Sequence, residues 1–349
     1  MIRKFVVSRD DNIYQAWPDV ALTPTGKLVC VFSECTHHGD RSYTRVMLTD
    51  SSDRGRTWSP KRLLTEPTRG RPYWNCARIT ALPDGRLAVV ADKIGTDERT
   101  RDLEKLQNFL FFSRDEGKTW SDPVLTPAQG IVPDKLRELD TGRWLLACHI
   151  QDPEIANLAQ RLWFSDDKGQ TWHGPVVVGR RKGLNLCEVS ILPLGEGTLA
   201  AFHRENSFQG WDCYKTLSRD NGETWSEPVA FPLPGCHRPV AGWLRSGRIL
   251  ITYRFLQGGK GWLGAWTQNF FGALTDRASA LATARNEAAT RILPLDFDRS
   301  PVSDLGYSGW VQFADGEIYV VNYIVDDAPK AQIRGYAFRE EDFLLEART

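Results

Sequence analysis

The sequence predicts an all-β chain of six repeated units, and three observations carry that prediction. An octapeptide of one pattern occurs four times, as SSDRGRTW (51–58), SRDEGKTW (113–120), SDDKGQTW (165–172) and SRDNGETW (218–225). Six segments of the form apolar strand, glycine turn, apolar strand recur along the chain. The composition, with 13 Trp, 29 Gly and 19 Pro among 349 residues, suits many short strands joined by tight turns.

The six segments are VALTPTGKLVCVF, ITALPDGRLAVVA, LRELDTGRWLLAC, VSILPLGEGTLAAF, VAGWLRSGRILITY and VQFADGEIYVVNY. Their turn glycines, Gly26, Gly85, Gly142, Gly197, Gly247 and Gly316, are spaced 59, 57, 55, 50 and 69 residues apart. One repeat per interval therefore fills the chain and leaves room for a single domain, 1–349. Both strands of each hairpin are apolar with weak alternation, as expected of inner strands buried between neighbouring units. Each residue of the octapeptide suits a turn: Asp and Ser bond backbone N–H groups across the bend, Gly takes a positive φ, and Trp plugs an apolar gap. Units five and six lack it. The stretch ALTDRASALATARNEAA (273–289) reads as an Ala-rich helix or an irregular insertion rather than a strand. The N-terminal KFVVS is expected to pair with the C-terminal RGYAF, because a ring that splits one unit between its termini leaves no open edge.

Composition narrows the partners. Lys+Arg and Asp+Glu both number 44, so no global field draws the chain to nucleic acid or an acidic membrane. No apolar run approaches the roughly 20 residues that span a bilayer, and MIRKFVVSRDDN lacks the h-region of a signal peptide, so a cytoplasmic protein is expected. Seven cysteines with no CxxC pair read as buried free thiols rather than a disulfide framework or a zinc site. His37, His38, His149, His203 and His237 lie at predicted strand ends, where satisfied hydrogen-bonding roles are commoner than a metal set. Neither metal nor cofactor is expected.

The octapeptide, Ser-x-Asp-x-Gly-x-Thr-Trp, is the Asp-box, and with it the chain resembles the sialidase superfamily, whose β-propeller blades carry that box between their third and fourth strands. The resemblance implies a six-bladed β-propeller of the sialidase type, with the site at one mouth of the central channel, where loops from every blade meet. NLCEVSILPLGEGTLAAFHREN puts Glu188 before a hairpin and Arg204 after it, so that both can face one pocket. DLGYSGWVQF puts Tyr307 and Ser308 at the start of a strand in the last blade. By the resemblance Tyr307 is the nucleophile, Glu188 its base, and Arg204 a member of an arginine cluster. Arg254 (ITYRF), Arg238 (GCHRP) and Arg78 (NCARI), in that order, are further candidates for that cluster by position. Sialidases carry Arg-Ile-Pro in the first blade and a catalytic Asp in a later loop. Here Ala16-Trp17-Pro18 takes the three positions and Asp40 falls where the Asp is expected. The Asp is kept and the Arg is gone. His38, His237 and Trp17 are expected to line the pocket. Each candidate has a plainer reading as well: Asp40 as a turn residue, Tyr307 as an ordinary aromatic, Arg204 and Arg254 as surface ion pairs.

These types belong together chemically. Sialic acids carry a carboxylate on the anomeric carbon, which repels a carboxylate nucleophile but tolerates a phenol activated by a neighbouring Glu. Asp40 would protonate the leaving oxygen and later activate water. An arginine fork binds a carboxylate bidentately and keeps its proton. The expectation is a retaining exo-glycosidase that hydrolyses a terminal acidic sugar of a glycan. Two other readings stand beside it: a lyase or hydrolase on a uronic acid that uses Tyr307 and a His, and a non-catalytic sugar-binding propeller in which Trp17, Trp74 and Trp310 stack on sugar faces.

Overall fold

Twenty-four strands pair into six antiparallel four-stranded sheets in the computed structural model, which describes residues 2–97, 102–257 and 267–344. After β1 (Arg3–Ser8), blade one comprises β2 (Tyr14–Leu22), β3 (Leu28–His37), β4 (Asp40–Ser51) and β5 (Arg62–Leu63). Blade two comprises β6 (Tyr73–Ala81), β7 (Leu87–Ile94), β8 (Leu106–Ser113) and β9 (Val124–Gln129), and blade three β10 (Arg137–Glu138), β11 (Trp144–Asp152), β12 (Asn157–Ser165) and β13 (His173–Gly179). Blade four comprises β14 (Leu186–Gly195), β15 (Thr198–Glu205), β16 (Asp212–Ser218) and β17 (Val229–Pro234), and blade five β18 (Cys236–Trp243), β19 (Ile249–Gln257), β20 (Thr267–Thr275) and β21 (Arg291–Phe297). Blade six takes β22 (Leu305–Gln312), β23 (Ile318–Ile324) and β24 (Gln332–Phe338) from the C-terminus and β1 from the N-terminus, with Phe5 opposite Gly335. The fold is thus a six-bladed propeller of the sialidase type, closed by its two ends.

The four octapeptides perform one local task. In each, the Ser hydroxyl accepts from the Gly N–H at 2.8–2.9 Å, the Asp carboxylate accepts from the Thr N–H, and the Trp indole donates back to the Gly carbonyl at 3.0–3.2 Å. The bend that results joins the third strand to the fourth. Blade six has no box because its third and fourth strands come from opposite chain ends. In blade five the connection is α1 (Arg277–Leu281), whose N-cap Asp276 accepts from Ser279 N at 2.7 Å. The expected insertion is therefore strand as far as Thr275, and helix and a 3-10 turn after it. Lys215 fastens it to blade four by donating to the carbonyls of Ser279 and Ala280 at 2.9 and 2.7 Å.

Apolar residues of adjacent blades form the core, as where Val31 and Leu48 of blade one meet Ile79 and Val89 of blade two. All seven cysteines are buried as free thiols. No described helix is long and apolar enough to cross a membrane. Around the channel, polar side chains stitch inner strand to inner strand: Asp19 accepts from Ile79 N at 3.0 Å, Asp134 from Ile191 N at 2.9 Å, and Ser190 from Ala241 N at 3.0 Å. These bonds hold the blades at one level.

The first box also reaches into blade six. Gly55 has φ +80°, its carbonyl accepts from the Tyr319 hydroxyl at 2.9 Å, and a Cβ there would lie 2.2 Å from the Tyr319 ring. Gly26 has φ +87° and open space around it. Gly26→Ala is therefore expected to cost only the backbone strain of about 1–2 kcal/mol, and Gly55→Ala a further 1–3 kcal/mol from overpacking. Thermal melts of the two variants check this, and equal losses would contradict it.

Candidate active site

The inner strand of a blade would run past the channel mouth with its side chains directed between blades, were it not broken there. Register shifts fall at Ala16/Asp19 in β2, Trp74/Ala77 in β6, Cys187/Val189 in β14, His237/Val240 in β18 and Leu305/Ser308 in β22. At four of these breaks a residue takes positive φ: Trp17 (54°), Glu188 (46°), Arg238 (51°) and Gly306 (117°). A β-bulge re-aims side chains, and left-handed backbone at non-Gly residues costs about 1–3 kcal/mol each. Hydrogen bonds hold the Glu188 bulge: the Gln160 amide, oriented to accept, takes Glu188 N at 2.9 Å and Val189 N at 3.1 Å.

The bulges of blades four and six bring Tyr307 and Glu188 into contact across the mouth, the phenol donating to Glu188 Oε1. Arg204 Nη1 donates to the same oxygen at 2.8 Å, and Asn206 takes its other terminal nitrogen. Arg238 and Arg254 flank the phenol, with guanidinium carbons 5.3 and 5.8 Å from the Tyr307 ring centre. Burial pushes the Glu188 carboxyl upward, but Arg204, Arg254 and Arg238 outweigh it and hold it at about 2. Burial and the Glu188 charge push the Tyr307 phenol well above its ordinary value. Burial pushes His149 down to about 4, and Glu188 N donates to its Nδ1 at 3.4 Å.

These residues floor a cavity of about 780 Å³ whose lining includes Trp17, His38, Arg41, Arg71, His149, Glu188, Arg204 and Tyr307. Trp17 lies between His38 and Tyr307, with ring centres 5.5 and 6.5 Å away, and the Arg41 guanidinium stacks on it at 3.9 Å. His237 and Arg254 sit behind this lining, 3.4 Å apart, and Arg254 also donates to the Leu305 carbonyl at 3.2 Å. Arg238 donates to the Pro133 carbonyl at 2.9 Å. Of the four candidate arginines, Arg204 alone lines the cavity, and Arg238 and Arg254 act on Tyr307 from behind.

Two expected site residues lie elsewhere. Asp40 is exposed at the start of β4, where its carboxylate accepts from Ser42 N at 2.8 Å, which lowers it below the usual range. Successive strand residues face opposite sides, so Arg41 enters the cavity and Asp40 turns away. Arg78 lies beyond the β6 bulge, deeper in the channel, where it donates to the Ser308 carbonyl at 2.9 Å and faces Asp19 at 3.3 Å. It is a strut between blades. The sugar-stacking reading loses two of its three tryptophans: Trp74 packs on Phe109 and Phe111, and Trp310 donates to the Val240 carbonyl at 3.0 Å.

Sequence reasoning passed over Asp304, three residues before Tyr307. It accepts from His38 Nδ1 and Tyr14 at Oδ2, and from Tyr323 at 2.8 Å at Oδ1. An acid close before the tyrosine was the available signal. Among the described residues no three His, Cys, Asp or Glu side chains gather as a metal set.

Residues 60–320 match the family described as BNR repeat-like domain. A protein of unknown function from Dyadobacter fermentans superposes with TM-score 0.76 at 21% identity, over 97% of this chain and 99% of its own. A Hadza microbial sialidase gives 0.71 at 18% identity, over 95% of this chain and 66% of its own. An α-L-arabinofuranosidase from Fusarium graminearum gives 0.65 at 14% identity, over 97% and 98%. No curated protein sequence matches the chain. At these identities the likenesses show the fold.

The carboxylate at the centre of the site has a pH signature. Its native pKa of about 2 lies below the ordinary glutamate value of 4.5, so its stabilisation is present above pH 4.5 and is lost as pH falls towards 2. The stability advantage of the wild type over Glu188→Gln is expected to shrink by roughly 3 kcal/mol across that interval. Denaturant melts of both proteins in a pH series measure it, and a constant difference would refute the ionised, buried Glu188.

Proposed function

The chain belongs to the family of BNR repeat-like domains, and from that premise we propose that it is a retaining glycoside hydrolase that removes a terminal acidic sugar, with Tyr307 as nucleophile and Glu188 as its base. The observation that carries this reading is the Tyr307–Glu188 hydrogen bond on the floor of a large cavity at the channel mouth. A phenol whose burial resists ionisation reacts only if its proton leaves as the new bond forms. Glu188 is in place to take it. The negative charge then moves from Glu188 to the tyrosine oxygen, where Arg238 and Arg254 flank the ring. The charge never leaves the arginine cage, so the cage that keeps Glu188 ionised also stabilises the attacking phenolate. Arg41, Arg71 and Arg204 in the lining favour a negatively charged sugar, with His38 and His149 as polar partners.

Tyr307→Phe is expected to lower kcat on an acidic aryl glycoside by at least about 1,000-fold while ligand affinity changes little. Mass spectrometry with a fluorinated acidic glycosyl fluoride should place the trapped sugar on Tyr307. Retained turnover in Tyr307→Phe, or a label on another residue, would refute the assignment.

Trp17 bears on which acid is taken. Ala16 is fully buried, and the residue that reaches the cavity from this bulge is an indole rather than a guanidinium. An ordinary sialoside therefore lacks one charge-assisted contact, a loss of about 1.5–3 kcal/mol or one to two orders of magnitude in kcat/KM. Aryl uronides are expected to outperform aryl sialosides in a side-by-side assay. Sialoside turnover at least equal to that of every uronide would overturn this preference.

A further inference from the structure

With Asp40 turned from the cavity, the carboxyl and imidazole groups of its lining besides Glu188 that could protonate a leaving group are Asp97, His38 and His149. The geometry points to His38, oriented by Asp304, as the general acid and base of that site, an inference that rests on the glycosidase reading. His38 projects from the β3–β4 hairpin of blade one into the cavity that holds Tyr307 and Glu188. Its side chain is 44% exposed, whereas that of Asp304 is 15% exposed. Asp304 Oδ2 contacts His38 Nδ1, and the carboxylate also accepts from the Tyr14 and Tyr323 hydroxyls. With three donors converging on it, the carboxylate is an acceptor only, and Nδ1 of His38 carries a proton. Nε2 is left as the nitrogen that exchanges a proton with substrate. The Trp17 ring, edge-on to the imidazole at 84°, restricts how far it can rotate.

The wider surroundings favour this pair. His37, Asp40 and Arg41 are its neighbours on the hairpin, and Lys330 lines the adjoining cavity of about 440 Å³ that also includes His38, Tyr14 and Asp304. Burial pushes the Asp304 carboxyl upward, but His38, Tyr14 and Arg254 together hold it below the usual range, as a charged orienting group must be. Asp304 is a positioning residue, because it acts only through the imidazole.

The steps balance. The glycosidic C–O bond breaks and its electron pair stays on the leaving oxygen, which takes the proton from Nε2 of the His38 imidazolium. The Tyr307 oxygen bonds to the anomeric carbon as its proton passes to Glu188. In the second half, water gives a proton to His38 Nε2 as its oxygen attacks that carbon. The bond to Tyr307 breaks, and the phenol recovers its proton from Glu188.

Leaving-group dependence tests this. For a dinitrophenyl glycoside of the preferred acidic sugar, whose leaving group needs no proton, His38→Ala should change kcat/KM by less than about 10-fold. For the corresponding benzyl glycoside it should lower kcat/KM by at least about 100-fold, and added azide should restore turnover of the dinitrophenyl substrate's glycosyl-enzyme as a glycosyl azide of retained configuration. Nitrogen-15 NMR of the labelled wild type should show neutral His38 with its proton on Nδ1, and Asp304→Asn should shift it towards the Nε2–H form. Equal losses on both substrates, the leaving-group signature in Asp40→Ala instead, or an Nε2–H tautomer in the wild type would each overturn the pair. If Tyr307→Phe abolishes turnover while His38→Ala leaves both substrates unaffected, the pair fails and the glycosidase reading stands. A wild-type protein that cleaves no acidic aryl glycoside overturns both.

Discussion

A carboxylate that stays ionised while buried is the constraint around which the channel mouth is arranged. Glu188 is 4% exposed, and removing such an ion from water costs several kcal/mol unless opposite charge surrounds it. The compensation comes from two blades: Arg204 on β15, Arg238 on β18 and Arg254 on β19. Lysine would serve less well, since burial strips its proton more readily and it lacks the planar fork of fixed donors that a guanidinium presents. The network is not internally saturated. Among the described residues Glu188 Oε2, Arg204 Nε and Arg238 Nη1 are buried without a protein partner, a condition that is uncommon in native proteins.

That cage exists only because six blades are held at one height. The bulges at Trp17, Glu188 and Arg238 are local strains, each costing stability by itself. The inter-blade bonds made by Asp19, Asp134 and Ser190 lie along the channel with these breaks, so backbone groups of one inner strand are satisfied by the next. Rigid blades thereby support a strained rim. The Asp-boxes act on the same scaffold from the other direction, closing the third-to-fourth strand bends with bonds that need nothing beyond eight consecutive residues.

This difference in range explains what was legible in the sequence. The boxes and hairpins are local, so their spacing revealed the blades and even the missing boxes of the last two units. Glu188 and Arg204 were readable together because one hairpin connects them and their strands pair with Cys187 opposite Arg204. Asp40 faces away from the side that Arg41 takes, and Arg78 lies deeper, beyond a bulge; both placements depend on where a hairpin tip and a bulge fall, which the spacing of the repeats does not report. His38 and Asp304 stand 266 residues apart and meet only because the ring closes between blades six and one. No periodicity reports such a pair.

Trp17 connects these points. In the resembled pattern an arginine at this bulge would add positive charge beside the phenol, where Arg238 and Arg254 already stand. Here an indole occupies the cavity wall, and the nearest cation, Arg41, stacks on it at 3.9 Å from the hairpin that carries His38. A cation over an indole face is attracted by about 0.5–2 kcal/mol and keeps its N–H edge available for an anion. Positive charge has in effect been moved from the floor of the site to its wall, while the groups proposed to attack the sugar stay on the floor. A substrate that exploits both must present its anomeric carbon downward and its acid sideways, which separates the two functions that a sialic acid joins at one carbon.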